Sequence, residues 1–215
     1  GIKYKAGVSA QLKSAVILAG LNANGVTNIL EQKKSRDHTE NMLLNNSNIL
    51  KVIKNNKKEK YIKVFGKNYL KPLKINIGGD PSSAAFFTAL TILNSNSKLT
   101  INKVGLNPRR IGFYKLLIKH GAKIKFKNIR KINNELVGNI EVYSSKIRSI
   151  KASKEYYTSC TDEYPILFVI AALTNGTSIF RGIKDLANKE SNRILEMKKV
   201  LSHLGVKCKS NKNEM

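Results

Sequence analysis

The 215 residues include no tryptophan, two cysteines, four prolines, and only 14 Asp and Glu against 39 Lys and Arg. Cys160 and Cys208 are too few for a disulfide framework, and no His/Cys cluster has metal-ligand spacing. A reduced, cytoplasmic protein with two ordinary thiols is therefore expected. Apolar runs such as Ala15–Ala19 and Ile166–Leu173 soon meet Asn, Gly or Lys, well short of the roughly 20 residues that a bilayer span requires. No membrane partner is expected. With 41% hydrophobic residues these runs also argue against disorder and for packed cores. No secretory signal is visible, and Gly1 stands where an initiator methionine would, so the chain reads as a piece of something longer.

The shortage of acids leaves a formal charge of +25, which raises the prospect of nucleic acid or small anionic ligands. The lysines are scattered, however, often beside Asn and Ile, as in Ile53-Lys54-Asn55-Asn56-Lys57-Lys58. Such a bias is what an AT-rich genome writes on solvent-facing positions. No RNA-stacking aromatic signature, zinc finger or basic zipper accompanies it, so a basic RNA-binding protein is the weaker alternative and no nucleic-acid partner is expected.

What is present is a repeat. Three apolar helix candidates open at Ser9, Ser82 and Asp162 and end near Asn24-Gly25, Asn94-Ser95-Asn96 and Asn175-Gly176. Each precedes a β-prone run: Val26 to Leu30, Leu99 to Val104, and Ser178 to Ile183. A more amphipathic helix follows, its basic opener 27 positions after the first opener each time: Ser9 to Arg36, Ser82 to Arg109, Asp162 to Lys189. Gly121 and Gly205 suit helix C-caps in the second and third copies. Alternating segments at Tyr61–Phe65, Leu73–Ile77, Glu141–Tyr143 and Ile147–Ala152 read as strands. The unit is strand–helix–strand–helix–strand–strand, and the third copy is cut short at Met215.

Helix openers combine free N–H groups with the positive end of the helix dipole. Arg36, Lys189 and Arg193 near such openers sit at the unfavourable end for stability and the favourable end for holding phosphates and carboxylates. Asp162, in Asp162-Glu163-Tyr164-Pro165, reads either as a capping carboxylate with proline in the first turn or as a base for a hydroxyl proton. Glu190 and Arg193 could equally be an i,i+3 surface pair around a Ser191 cap, and Ser9-Ala10-Gln11 a plain cap. His38 reads as a structural histidine.

Taken in order, Ser9-Ala10-Gln11-Leu12-Lys13, Arg36-Asp37-His38-Thr39-Glu40, Gly79-Asp80-Pro81-Ser82-Ser83-Ala84-Ala85-Phe86, Asp162-Glu163-Tyr164-Pro165 and Lys189-Glu190-Ser191-Asn192-Arg193 resemble the EPSP synthase family, the 3-phosphoshikimate 1-carboxyvinyltransferases of the shikimate pathway and aromatic amino acid biosynthesis. The resemblance runs essentially end to end. It implies a mixed α/β (α+β) fold of repeated βαβαββ units, those of the enolpyruvyl transferase two-lobe inside-out barrel, incomplete here. Residues 1–78 would be the last unit of one lobe. Residues 79–215 would be one complete and one truncated unit of the other.

The resemblance also implies transfer of the enolpyruvyl group of phosphoenolpyruvate to the 5-hydroxyl of shikimate 3-phosphate, releasing phosphate, in a full-length monomer that needs no cofactor and no metal. Ser9, Ala10, Gln11, Arg36, Asp162 and Lys189 would hold shikimate 3-phosphate, while Gln11 and Arg193 would hold phosphoenolpyruvate. Asp162 would be the base for the hydroxyl, and Glu190 would handle protons at the enolpyruvyl carbons. Ser-Ala-Gln-x-Lys and Arg-x-His-x-Glu resemble the subgroup with lower glyphosate sensitivity, from which Asn107-Pro108-Arg109-Arg110 departs at Arg109. The related transferase acting on UDP-N-acetylglucosamine is the nearest alternative. Phosphoenolpyruvate-binding residues of the family fall outside this sequence, so no useful turnover is expected of the 215 residues alone.

Overall fold

The computed structural model describes residues 1–46, 48–54 and 59–215. It divides into two compact units, Gly1–Ile77 with Lys131–Leu136, and Gly78–Arg130 with Val137–Met215.

In the first unit, β1 (Lys3–Ala6), α1 (Ala10–Asn22), β2 (Val26–Glu31), α2 (His38–Leu43), β3 (Leu50–Lys54) and β4 (Lys60–Phe65) follow one another. The sheet order is β1-β2-β4-β3, with β1 parallel to β2 and both β4 pairings antiparallel. Period-two alternation makes this sheet one-sided: Thr27, Ile29 and Glu31 of β2 and Lys60, Ile62 and Val64 of β4 point inward. Ile29 and Ile62 pair at the centre of a core that also holds Ala6, Ile17, Leu43, Ile49, Leu50 and Val64. The same register sets Glu31 against Lys60, so the buried row ends in charge. Helix α1 faces the sheet with Lys13, Ile17 and Gly20, a spacing that places them on one stripe. Gly20 lets the helix sit close on the sheet: a Cβ would lie 3.1 Å from Thr27 Cβ and 3.3 Å from Val64 Cγ1, a tight contact that these side chains would have to ease.

The second unit holds α3 (Pro81–Leu93), β5 (Lys98–Gly105), α4 (Gly112–Lys119), β6 (Lys123–Ile132, all but its end), β7 (Glu135–Tyr143, all but its start), β8 (Lys151–Ala152), α5 (Tyr164–Ala172), β9 (Ile179–Phe180) and α6 (Arg193–His203). Sheet β5-β7-β6 repeats the order of β2-β4-β3, and β8 runs parallel to β9 as β1 does to β2. Gly121 and Gly205 take positive φ after α4 and α6, as the C-cap reading requires. The sheets are open, and the described residues close no barrel.

Three expected strands change. Leu73–Ile77 forms none; the pairing lies at Gly79, which forms a parallel bridge to Val104 through Gly79 N to Lys103 O (2.7 Å) and Gly105 N to Gly79 O (2.8 Å). The neighbouring Gly78 passes so near Gly105 N that a Cβ would lie at 3.1 Å, a crowded approach that glycine eases. The segment 147–152 is strand only at Lys151–Ala152: upstream of it Arg148 N donates to the His120 carbonyl at the end of α4 and Ile150 N to Ser178 Oγ, and neither bond belongs to a sheet ladder. The run 178–183 shortens to Ile179–Phe180 opposite it. Among the described residues no helix is long and apolar enough to cross a membrane.

Candidate functional site

In the first unit Ser9 caps α1, its Oγ accepting from Leu12 N at 3.3 Å, so Ala10 and Gln11 open the helix. No acidic side chain occupies that first turn, which keeps the positive end of the dipole available to an anion. Ser9 and Ala10 are half-buried and Gln11 is exposed. Arg36 is half-buried, two residues before α2, and its main-chain carbonyl accepts from Lys13 Nζ at 2.9 Å. His38 Nδ1 lies 2.8 Å from Glu135 Oε1, a structural contact.

In the second unit Asp162, Glu190 and Arg193 converge. Asp162 sits in a 3-10 turn, Thr161–Glu163, immediately before α5. It is not the helix cap: Glu163 holds that position without a capping side-chain bond, and Pro165 lies in the first turn. Arg193, the first residue of α6, reaches Asp162 Oδ1 with Nη1 at 3.6 Å and donates from Nη2 to Glu190 Oε2 at 2.8 Å. A guanidinium at a helix N-terminus opposes the dipole, and the two carboxylates offset it. The i,i+3 pair thus exists, but its cap is Asn192, whose Oδ1 accepts from Leu195 N at 3.1 Å, rather than Ser191. Asn suits this position at least as well as Ser. Lys189 precedes the pair and is exposed.

Glu190 is held below the usual carboxylate range, first by a bond from its own main-chain N–H and then by the bond to and charge of Arg193. Its full exposure means that this pairing contributes little to stability.

The sequence reading passed over Arg110. Its Nη2 donates to Asp80 Oδ1 (2.9 Å) and Ser82 Oγ (2.7 Å), and Nη1 lies 3.9 Å from Asp162 Oδ2. Ser82 Oγ donates in turn to Glu163 Oε1, tying the start of α3 to the start of α5. Asp80 caps α3 through Ser82 N and Ser83 N. Burial works to raise the Asp80 pKa, but the bonds from Ser83 and Ser82 and the charge of Arg110 outweigh it and hold the carboxyl low. The Gly-Asp-Pro-Ser-Ser and Asn-Pro-Arg-Arg motifs were the available signal for this cluster. Asp162 therefore stands between two guanidiniums, with Glu190 on the far side of one of them. Such an arrangement can hold an anion and accept a proton at adjacent points.

The family model for EPSP synthase (3-phosphoshikimate 1-carboxyvinyltransferase) matches residues 1–215. The 3-phosphoshikimate 1-carboxyvinyltransferase of Zymomonas mobilis is 40% identical over 206 residues, 95% of this chain and 45% of that protein. Its counterpart in Parvibaculum lavamentivorans is 40% identical over 199 residues, 93% and 44% respectively. A solved EPSP synthase from Acinetobacter baumannii superposes with TM-score 0.85 at 32% identity, over 99% of this chain and 47% of that one. The enolpyruvyl transferase NikO from Streptomyces tendae, at TM-score 0.57 and 14% identity over 77% of this chain and 37% of its own, shares the fold. The chain spans less than half the length of the curated relatives it matches. Across all of its residues, it belongs to the EPSP synthase family.

Proposed function

We propose that the protein containing this chain transfers the enolpyruvyl group of phosphoenolpyruvate to the 5-hydroxyl of shikimate 3-phosphate. The observation that carries the reading is the Asp162 carboxylate between Arg110 and Arg193, in a chain of this family. Joining two anionic substrates calls for cations that offset their repulsion, and attack by a neutral hydroxyl calls for a carboxylate. Ser9, Ala10, Gln11, Arg36 and Lys189 bind shikimate 3-phosphate; Gln11 and Arg193 bind phosphoenolpyruvate. The hydroxyl oxygen attacks C2 of phosphoenolpyruvate while its proton passes to Asp162, and C3 gains a proton that the Glu190 carboxylate relays from solvent. The resulting tetrahedral adduct gives a C3 proton to the Glu190 carboxylate as the C–O bond to phosphate breaks, and the Asp162 proton leaves with the phosphate or to solvent, giving the enol ether and inorganic phosphate.

In this reading residues 1–78 are the last unit of one lobe and 79–215 the first units of the other. The enzyme is cytoplasmic and monomeric and acts on small molecules alone. The test is phosphate release by the protein from the complete reading frame, with shikimate 3-phosphate or UDP-N-acetylglucosamine as acceptor, in wild type and Asp162→Ala. Turnover confined to shikimate 3-phosphate and severely reduced by the substitution supports the reading. Turnover with the nucleotide sugar, or with neither acceptor in a folded protein, overturns it.

A further inference from the structure

Lys13, Glu31 and Glu40 take no part in that chemistry, yet all three are almost wholly buried. Lys13 Nζ is ion-paired with Glu31 Oε1 at 2.6 Å and Glu40 Oε1 at 2.7 Å, and donates hydrogen bonds to Glu31 Oε1 and to the Arg36 carbonyl, the latter at 2.9 Å. Glu31 Oε1 also accepts from Ser35 N (3.2 Å) and Ser35 Oγ (2.7 Å), and Glu40 Oε1 from Lys60 Nζ (3.0 Å). The loop from β2 to α2 is therefore anchored from below at Ser35 and at Arg36, while its far end continues into the helix that carries Glu40.

Stability alone does not explain such a cluster. A buried ion pair loses much of its Coulombic gain to desolvation, and apolar replacements of similar volume are often as stable. One turn along the same face is Ile17, in the apolar core, so apolar residues at 13, 31 and 40 together would continue an existing surface. An apolar residue at 13 alone would also deprive Glu31 and Glu40 of this cation. What the ammonium supplies and a hydrocarbon cannot is a bond to the Arg36 main chain. Lys13 is four residues after Ser9 on the same helix, and so fixes the Arg36 backbone against the turn that Ser9, Ala10 and Gln11 open. Ser-Ala-Gln-x-Lys and Arg-x-His-x-Glu meet at this ammonium: the lysine of one motif binds the glutamate and the arginine carbonyl of the other.

We propose that Lys13 is a positioning residue, which sets the Arg36 guanidinium for the phosphate of shikimate 3-phosphate by holding the Arg36 carbonyl from within the core. The inference rests on the reading that Arg36 binds that substrate. Its test is a double-mutant cycle in the full-length enzyme with Lys13→Met, Arg36→Ala and the pair, measuring KM for each substrate, kcat and thermal unfolding. Lys13→Met is expected to raise KM for shikimate 3-phosphate about 10-fold, a change of about 1.4 kcal/mol, with the phosphoenolpyruvate KM and kcat little changed. Combined with Arg36→Ala it adds nothing further, because both changes remove one interaction.

Ser35→Ala keeps every charge and cuts only a loop tether, and carries the test if Lys13→Met does not fold. It should give a smaller rise that likewise vanishes with Arg36→Ala. Additive effects, or equal rises in KM for both substrates, overturn the positioning role. An unchanged affinity in Arg36→Ala alone overturns the underlying assignment, and the inference with it.

Discussion

Arg193 lies between Asp162 and Glu190, with Nη1 at 3.6 Å from one carboxylate and Nη2 at 2.8 Å from the other. The two carboxylates are assigned different proton transfers, and one rigid guanidinium sets the charge that both experience. Lysine cannot reproduce a two-pronged contact. Arg193→Lys is expected to raise KM for phosphoenolpyruvate about 10-fold or more, the scale of one lost charge-assisted bond. The change has a pH signature as well. Glu190 is held low by its own main-chain N–H and then by Arg193, so it stays ionised further into acid than a free glutamate. In Arg193→Gln its pKa should rise, and the acid limb of the pH–rate profile should move to higher pH. A limb that stays in place, or moves to lower pH, removes Glu190 from the proton chemistry.

Asp162→Asn keeps the size of the side chain and removes its capacity to take a proton. Phosphate release should fall by about 10²–10⁴ in kcat, the usual contribution of general base catalysis, with both KM values within a few-fold of wild type. Pre-steady-state quenching should find no tetrahedral adduct accumulating. A loss smaller than about 10-fold would assign the hydroxyl proton to another group.

Much of this architecture was legible because period and punctuation agree. β2 and β4 alternate cleanly, and Asn24-Gly25 and Asn175-Gly176 mark the turns that follow α1 and α5, with glycine at positive φ. β6 escaped because Lys123, Lys125, Lys127, Arg130 and Lys131 crowd a strand that is mostly exposed, leaving little alternation to read. Leu73–Ile77 misled for the opposite reason: its apolar residues alternate, but Ile77 is 91% exposed and the pairing begins at Gly79. Among site residues, Asp162, Glu190 and Arg193 came from motifs. The place of Arg110 depends on two helix starts meeting: Gly-Asp-Pro-Ser-Ser and Asn-Pro-Arg-Arg mark the participants in the sequence, but their contact is set by the fold. Lys13 stands in the Ser-Ala-Gln-x-Lys motif with no role given by the sequence, and only the fold shows it buried between acids on β2 and α2.

Asp80 should show its depressed pKa as pH-dependent stability. Its carboxylate caps α3 and meets Arg110, and replacement by alanine should destabilise by about 0.5–2 kcal/mol near neutrality. A carboxyl whose folded pKa lies below its unfolded value adds stability that is complete above the unfolded value and is lost as pH falls through the folded one. The gap between wild type and Asp80→Ala should therefore be constant at neutral pH and close below about pH 4. Asp80→Asn retains a capping oxygen without the charge; the acid-dependent part of the gap belongs to wild-type Asp80 in both comparisons, so its smaller deficit should close by a similar amount and hence more completely. Urea unfolding across this range decides it. A gap that widens in acid contradicts the assignment.

Gly112 connects packing to the proposed base. It opens α4 against Ser159, and a Cβ there would lie 2.1 Å from Ser159 Oγ and 2.9 Å from the Ser159 carbonyl carbon. The hydroxyl could rotate away, but the main chain cannot move without taking Cys160 and the Asp162 turn with it. Gly112→Ala is expected to cost about 1–3 kcal/mol, as overpacking does, and to lower the melting temperature by several degrees. Because the displaced segment leads directly to Asp162, kcat should fall by about 10-fold or more even at temperatures where the variant is fully folded, as misplacement of a catalytic group does. Gly105→Ala is the control, since its Cβ would meet nothing nearer than 3.5 Å. Ser159→Gly in the Gly112→Ala background removes the hydroxyl clash but not the carbonyl contact, so it should restore stability only in part. Full recovery of kcat by that second change would show that the side chain alone was displaced, and that the Asp162 turn is not held by the close approach of Gly112.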